Sequence, residues 1–92
     1  MKIGEKEFTL KYNNRALFKI EKALNKSVIK IFQDNEELEK LNTIYTIVWA
    51  GIVEDITFDE FADIASMDDL SKELPSIIKE IGESFETGVK KK

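Results

Sequence analysis

The chain of 92 residues has no cysteine, no histidine, one proline, one tryptophan and four glycines. Without cysteine there are no disulfides, no thiol chemistry and no thiolate metal site, and without histidine there is no imidazole base or zinc ligand. The near absence of glycine and proline argues against loop-rich or disordered architectures, and the 42% hydrophobic and 35% charged content suits a helix-rich globule. Residues 1–20 are interrupted throughout by Lys, Glu and Asn, so they hold no apolar core of a signal peptide. The longest apolar run lies within residues 44–53, too short to span a bilayer. A chain of this length supports a single domain, over 1–89, and buries somewhat under ~70% of its unfolded surface.

The formal net charge of −4 is unevenly spread. Residues 1–30 carry eight Lys/Arg against three Glu, and residues 31–92 carry six against fifteen acids. That balance of +5 and −9 does not suit a nucleic-acid-coating protein. It suits two differently charged faces, with head-to-tail self-association as one consequence.

The fold class expected is mostly α with a small β component (α+β): an N-terminal β-hairpin followed by four to five helices. Ile3, Phe8, Leu10 and Tyr12 alternate around a turn at Gly4-Glu5-Lys6, predicting strands near 2–4 and 7–11. Asn13 or Asn14 caps a helix over about 14–25 with Ala16, Leu17, Ile20, Ala23 and Leu24 on one face and Arg15, Lys19, Lys22 and Lys26 opposite. That basic stripe reads as a solvated face before it reads as a phosphate contact. Ser27 caps a short helix with Val28, Ile31 and Phe32 inward, closed by Asp34 or Asn35. A central apolar helix over about 38–53 follows, with a seam of Leu38, Leu41, Tyr45, Val48 and Ile52. Thr57 and Glu60 form a capping box for a helix over 57–65, and Ser66 with Asp69 forms a second. The last stripe, Leu70, Leu74, Ile77, Ile78, Ile81, Phe85 and Val89, is interrupted by Pro75. An interior proline costs about 3 kcal/mol, so a break is expected there, with the main final helix starting at Pro75. The lysines at 90–92 read as a frayed tail.

Chemistry has few places to reside. "ITFDEFADI" at 56–64 looks like the exit of an EF-hand, but with Glu60 as ligand 12 the positions 1, 3 and 5 fall on Trp49, Gly51 and Val53, and the glycine position falls on Glu54. Asp59 and Asp63 lie on one helix face without a basic clamp or nucleophile, which leaves them as solvated acids. "DDLS" at 68–71 has the wrong residue order for the Asp-Ser-Leu attachment site of carrier proteins. No GxGxxG, P-loop or GxSxG occurs. A carboxylate-based metal enzyme is the weakest reading, and no catalytic residue, metal ligand or cofactor is expected.

The order of elements carries more information than any motif. The opening "FTLKYNNRALFKIEKALNKSV", the apolar middle "IYTIVWAGIVED" and the closing "ITFDEFADIASMDDLSKELPSIIKEI" together resemble the tail assembly chaperones of long-tailed bacteriophages and prophages. The resemblance spans about residues 3–86, and Pro75 departs from the smoother last helix it implies. It implies a non-enzymatic protein of the bacterial host cytoplasm, absent from the mature virion, that binds the tape-measure protein and aids tail-tube polymerisation. It also implies a longer form made by ribosomal frameshifting that recruits tail-tube protein; the codons for Lys90–Lys92 are where a slippery run would lie. Tape-measure segments are helices with apolar stretches, so the expected contact residues are Tyr45, Trp49, Ile77, Ile78, Ile81 and Phe85. The competing readings are that Trp49 belongs to a buried element and that the last stripe packs on the central helix as core. The alternative function is a small acidic regulator of anti-repressor or antitoxin type, whose −9 segment binds a basic partner.

Overall fold

The computed structural model describes residues 1–90, with side chains through Glu83. Strands β1 (Lys2–Ile3) and β2 (Lys6–Glu7) pair antiparallel, Lys2 opposite Glu7 and Ile3 opposite Lys6. Gly4 makes the turn at φ 60°, a conformation that a side chain disfavours. The hairpin is shorter than its alternation suggests. Residues 9–11 leave it to pair with the far end of the central helix: Leu10 lies opposite Ile52, Lys11 N–H donates to the Gly51 carbonyl (2.8 Å), and Val53 N–H donates to that of Thr9 (2.9 Å).

Local capping chemistry sets most of the helix boundaries. The Asn13 side chain accepts from Ala16 N–H to start α1 (Asn14–Leu24), which Asn25 ends in the left-handed conformation at φ 55°. Ser27 accepts from Lys30 N–H to start α2 (Val28–Gln33). Asp34 then both closes α2 and caps α3 (Asn35–Leu38), accepting from Glu36 and Glu37 N–H. The central apolar helix is α4 (Leu41–Gly51), with Thr43, Ile44, Thr46, Ile47, Val48, Ala50 and Gly51 buried. It is shorter than its apolar pattern at both ends, because Lys40 is extended (ψ 133°) and Ile52 joins the β-bridge. Leu41, an inward seam position by spacing, is therefore 59% exposed. With α3 and α4 separate, the described residues form six helices.

Thr57 and Glu60 complete the capping box of α5 (Phe58–Ile64), and Ser66 with Asp69 does the same for α6 (Met67–Lys90). The core gathers around α4, which packs against α1, α3, α5 and α6. Ile20, Ile47, Val48, Phe61, Leu70 and Ile81 are fully enclosed there.

Proline 75 does not break the last helix: α6 runs continuously from Met67 to Lys90 with Pro75 inside it. Pro75 and Ser71, whose carbonyl loses its intrahelical donor, are both on the exposed face, so water can take the freed carbonyl. Leu70 before the proline and Ile77 and Ile81 after it are buried, and this anchorage holds both halves in one helix. Pro75→Ala is accordingly expected to stabilise the protein by about 2 kcal/mol, the helix gain less the entropy that proline removes from the unfolded chain. Urea unfolding followed by far-ultraviolet dichroism measures it; an unchanged midpoint would mean that the helix already bends at no cost.

Candidate partner-binding surface

The six residues expected to bind a partner have different surroundings. Ile77 (3% exposed) and Ile81 (0%) are core, and Ile78 is half-buried on α6. Tyr45 and Trp49 are half-buried and already engaged. Tyr45 Oη donates to the Ala65 carbonyl at 2.8 Å, and its ring meets Phe61 edge-on at 5.9 Å between centroids. Trp49 Nε1 donates to the Ile56 carbonyl at 2.8 Å, with its ring edge-on to Phe58 at 5.7 Å. These bonds fasten the segment 56–65 to α4, so both aromatic residues act inside the fold. The side chain of Phe85 lies outside the described residues, as do Lys91 and Lys92.

The acids divide by what they hold. Glu60 accepts from Thr57 N–H and hydroxyl, and Glu54 accepts from Thr9 N–H at 2.8 Å. These hydrogen bonds hold both carboxyls below the usual carboxylate range. Asp59 and Asp63 are exposed on α5. Among the described residues no three carboxylates converge as a metal site would require.

Glu37 is different. It is 5% exposed, and its carboxylate takes charge-assisted bonds from Lys26 and from Lys40 (3.2 Å) and a hydroxyl bond from Thr43 (2.7 Å). The bond from Lys26, then that from Thr43, outweigh burial and lower its pKa to about 2. The cluster ties the α1–α2 corner to the α3–α4 junction, where Lys40 is extended. A carboxyl that ionises more easily folded than unfolded stabilises the native state above its unfolded pKa, near 4.5, and loses that contribution as pH falls towards 2. The unfolding midpoint is therefore expected to drop through this window, with Glu37→Gln less stable at pH 7 and showing a shallower drop. Equal slopes for the two proteins would remove Glu37 from the account.

Uncovered apolar side chains lie elsewhere, at Phe18, Ile29, Leu41, Val53, Ile64 and Met67, and two of them share a cleft. Phe18 (67% exposed) and Val53 (59%) border a cleft of about 650 Å³ between α1 and residues 52–56. Its floor is Ala50, Gly51 and Ile52. Arg15 and Lys22 stand on the α1 wall, and Glu54 and Asp55 on the opposite wall. Lys19, also lining the cleft, places its ammonium 4.1 Å from the centroid of the Trp49 ring. No protein-family model, curated protein or solved structure matches this chain. Its surface has to speak for it. The signal for Phe18 was present in the helical spacing: it sits two residues from Ala16 and from Ile20, hence on the opposite, basic face of α1. Val53 carries no such mark, because it ends an apolar run and its exposure follows from the β-bridge at Ile52.

No helix among the described residues is long and apolar enough to cross a membrane.

Proposed function

We propose that the protein is a non-enzymatic tail assembly chaperone of a long-tailed phage or prophage, working by reversible contacts with apolar stretches of a tape-measure protein. The observation that carries this reading is the uncovered pair Phe18 and Val53 beside an open cleft. Both line the same cleft, and apolar groups exposed around one cleft offer an amphipathic helix a seat. The order of hairpin, capped helices and last amphipathic helix supports it from the sequence side. The non-enzymatic part of this reading draws on how several titratable groups are used: Glu37 is paired with lysines, and Glu54 and Glu60 accept from backbone N–H groups. Tyr12, whose buried hydroxyl donates to the Ile47 carbonyl, is pushed far above the usual phenol range by that burial. In this reading the protein acts in the host cytoplasm and is not retained in the virion, and a frameshifted longer form brings tail-tube subunits.

Co-expression with the large helical protein encoded beside it tests the proposal. The expected result is that this protein stays soluble and co-purifies in ~1 M salt, where charge attraction is screened within about 3 Å. A complex that forms only at low salt, or no complex at all, would instead favour the acidic regulator binding a basic partner.

A further inference from the structure

We infer that the cleft between α1 and residues 52–56 takes one amphipathic helix of a partner protein in a single direction, selected by the opposite charges of its two walls. The inference draws on the chaperone reading only for where such a helix comes from.

Three observations carry it. The apolar contact comes from Phe18 on one wall and Val53 on the other, each more than half exposed. The walls differ in sign, with Arg15 and Lys22 on the α1 side and Glu54 and Asp55 on the other, while Lys11 lines the cleft from the segment that pairs with residues 51–53. Glu54 stays anionic, since Thr9 N–H holds its carboxyl below the usual range. The third observation concerns the backbone. The N–H groups of Ile52 and Val53 are already donated to Trp49 and Thr9, and the Gly51 carbonyl already accepts from Lys11. At 51–53, beside Val53, an added strand would therefore meet backbone already paired with residues 9–11, whereas a helix arrives with its backbone bonds made internally.

The direction follows from geometry. A helix laid with its apolar stripe on Phe18 and Val53 presents one flank to each wall. Turning it end for end with the stripe still down exchanges the flanks. A partner with acids on one flank and lysines on the other therefore pairs with both walls in one direction and is repelled by both in the other.

Trp49 is the only tryptophan and reports on the cleft through Lys19, over its ring, and Ile56, whose carbonyl accepts its N–H. Synthetic helical peptides with a leucine stripe at i, i+3, i+4 and i+7 serve as probes for a fluorescence titration with the full chain. One peptide has acids on one flank and lysines on the other. A second has the same composition with both charges mixed on both flanks.

The expected result is binding of the segregated peptide roughly tenfold tighter than the mixed one. Phe18→Ser should abolish the response with the urea midpoint unchanged. The double reversal Arg15→Glu with Lys22→Glu should weaken the segregated peptide and restore binding to one with lysines on both flanks. Equal affinity for segregated and mixed peptides, or unchanged binding by Phe18→Ser, would overturn the inference. Peptide binding without rescue of the tape-measure protein would uphold the cleft and reject the chaperone reading. Rescue that persists in Phe18→Ser, with no peptide binding, would do the reverse.

Discussion

Gly51→Ala is expected to destabilise the protein by about 3 kcal/mol, the upper end of what overfilling a packed site costs. Gly51 closes α4, where alanine would ordinarily be the better helix former by ~1 kcal/mol, so the expected sign opposes intrinsic propensity. The reason is Tyr12. A Cβ on Gly51 would stand 2.2 Å from Cζ of that ring, 2.5 Å from Oη and 2.6 Å from Cε2. The ring cannot swing aside, because it is 5% exposed and its hydroxyl donates to the Ile47 carbonyl at 2.9 Å. A shift of α4 away from the ring would instead strain the bond from Lys11 N–H to the Gly51 carbonyl. Urea unfolding of four proteins isolates the clash: the parent, Gly51→Ala, Tyr12→Leu and the double variant. In the Tyr12→Leu background the alanine should cost little or stabilise, giving a large coupling energy. An equal cost in both backgrounds would place the strain in the backbone of the α4 terminus and not in the ring.

The same position shows how unevenly the fold could be read from its residues. Wherever a boundary is set by a side chain acting on its own neighbours, spacing was enough. Asn13, Ser27, Thr57 with Glu60, and Ser66 with Asp69 all cap the helices that their patterns announce. Boundaries set by distant residues were illegible. The α3–α4 junction is one of these, for Glu37 there is held not only by Lys40 and Thr43 but also by Lys26, eleven residues before it in the chain. Likewise Pro75 is tolerated because Leu70, Ile77 and Ile81 are held by other helices, a tertiary effect stronger than the local helix penalty. Glu37 looked like one of several acids in a polar stretch, and only the folded chain sets Lys40 and Thr43 beside it.

Ile81→Ala is expected to cost about 4 kcal/mol of stability, whereas Phe18→Ser should change it by no more than about 0.5 kcal/mol. Both residues belong to helices with an apolar side, and the contrast turns on what encloses each. Ile81 is 0% exposed against the central helix, so truncation removes buried methylenes and leaves a cavity in a small core. Phe18 is 67% exposed on the basic side of α1, and its ring makes little that folding would lose. The functional cost should run the other way, with Phe18→Ser losing the partner while the fold stands. Periodicity places an apolar residue on a face but does not say whether another element covers that face. This is why the last stripe looked like a contact surface, while the single aromatic residue among the lysines of α1 passed unnoticed. Measuring unfolding free energy and co-purification for both variants separates the two roles. A Phe18→Ser protein that loses several kcal/mol would return Phe18 to the core and leave the cleft without its anchor. An Ile81→Ala protein that stays fully stable would mean that α6 packs more loosely than its buried isoleucines indicate, and would reopen α6 as a binding surface.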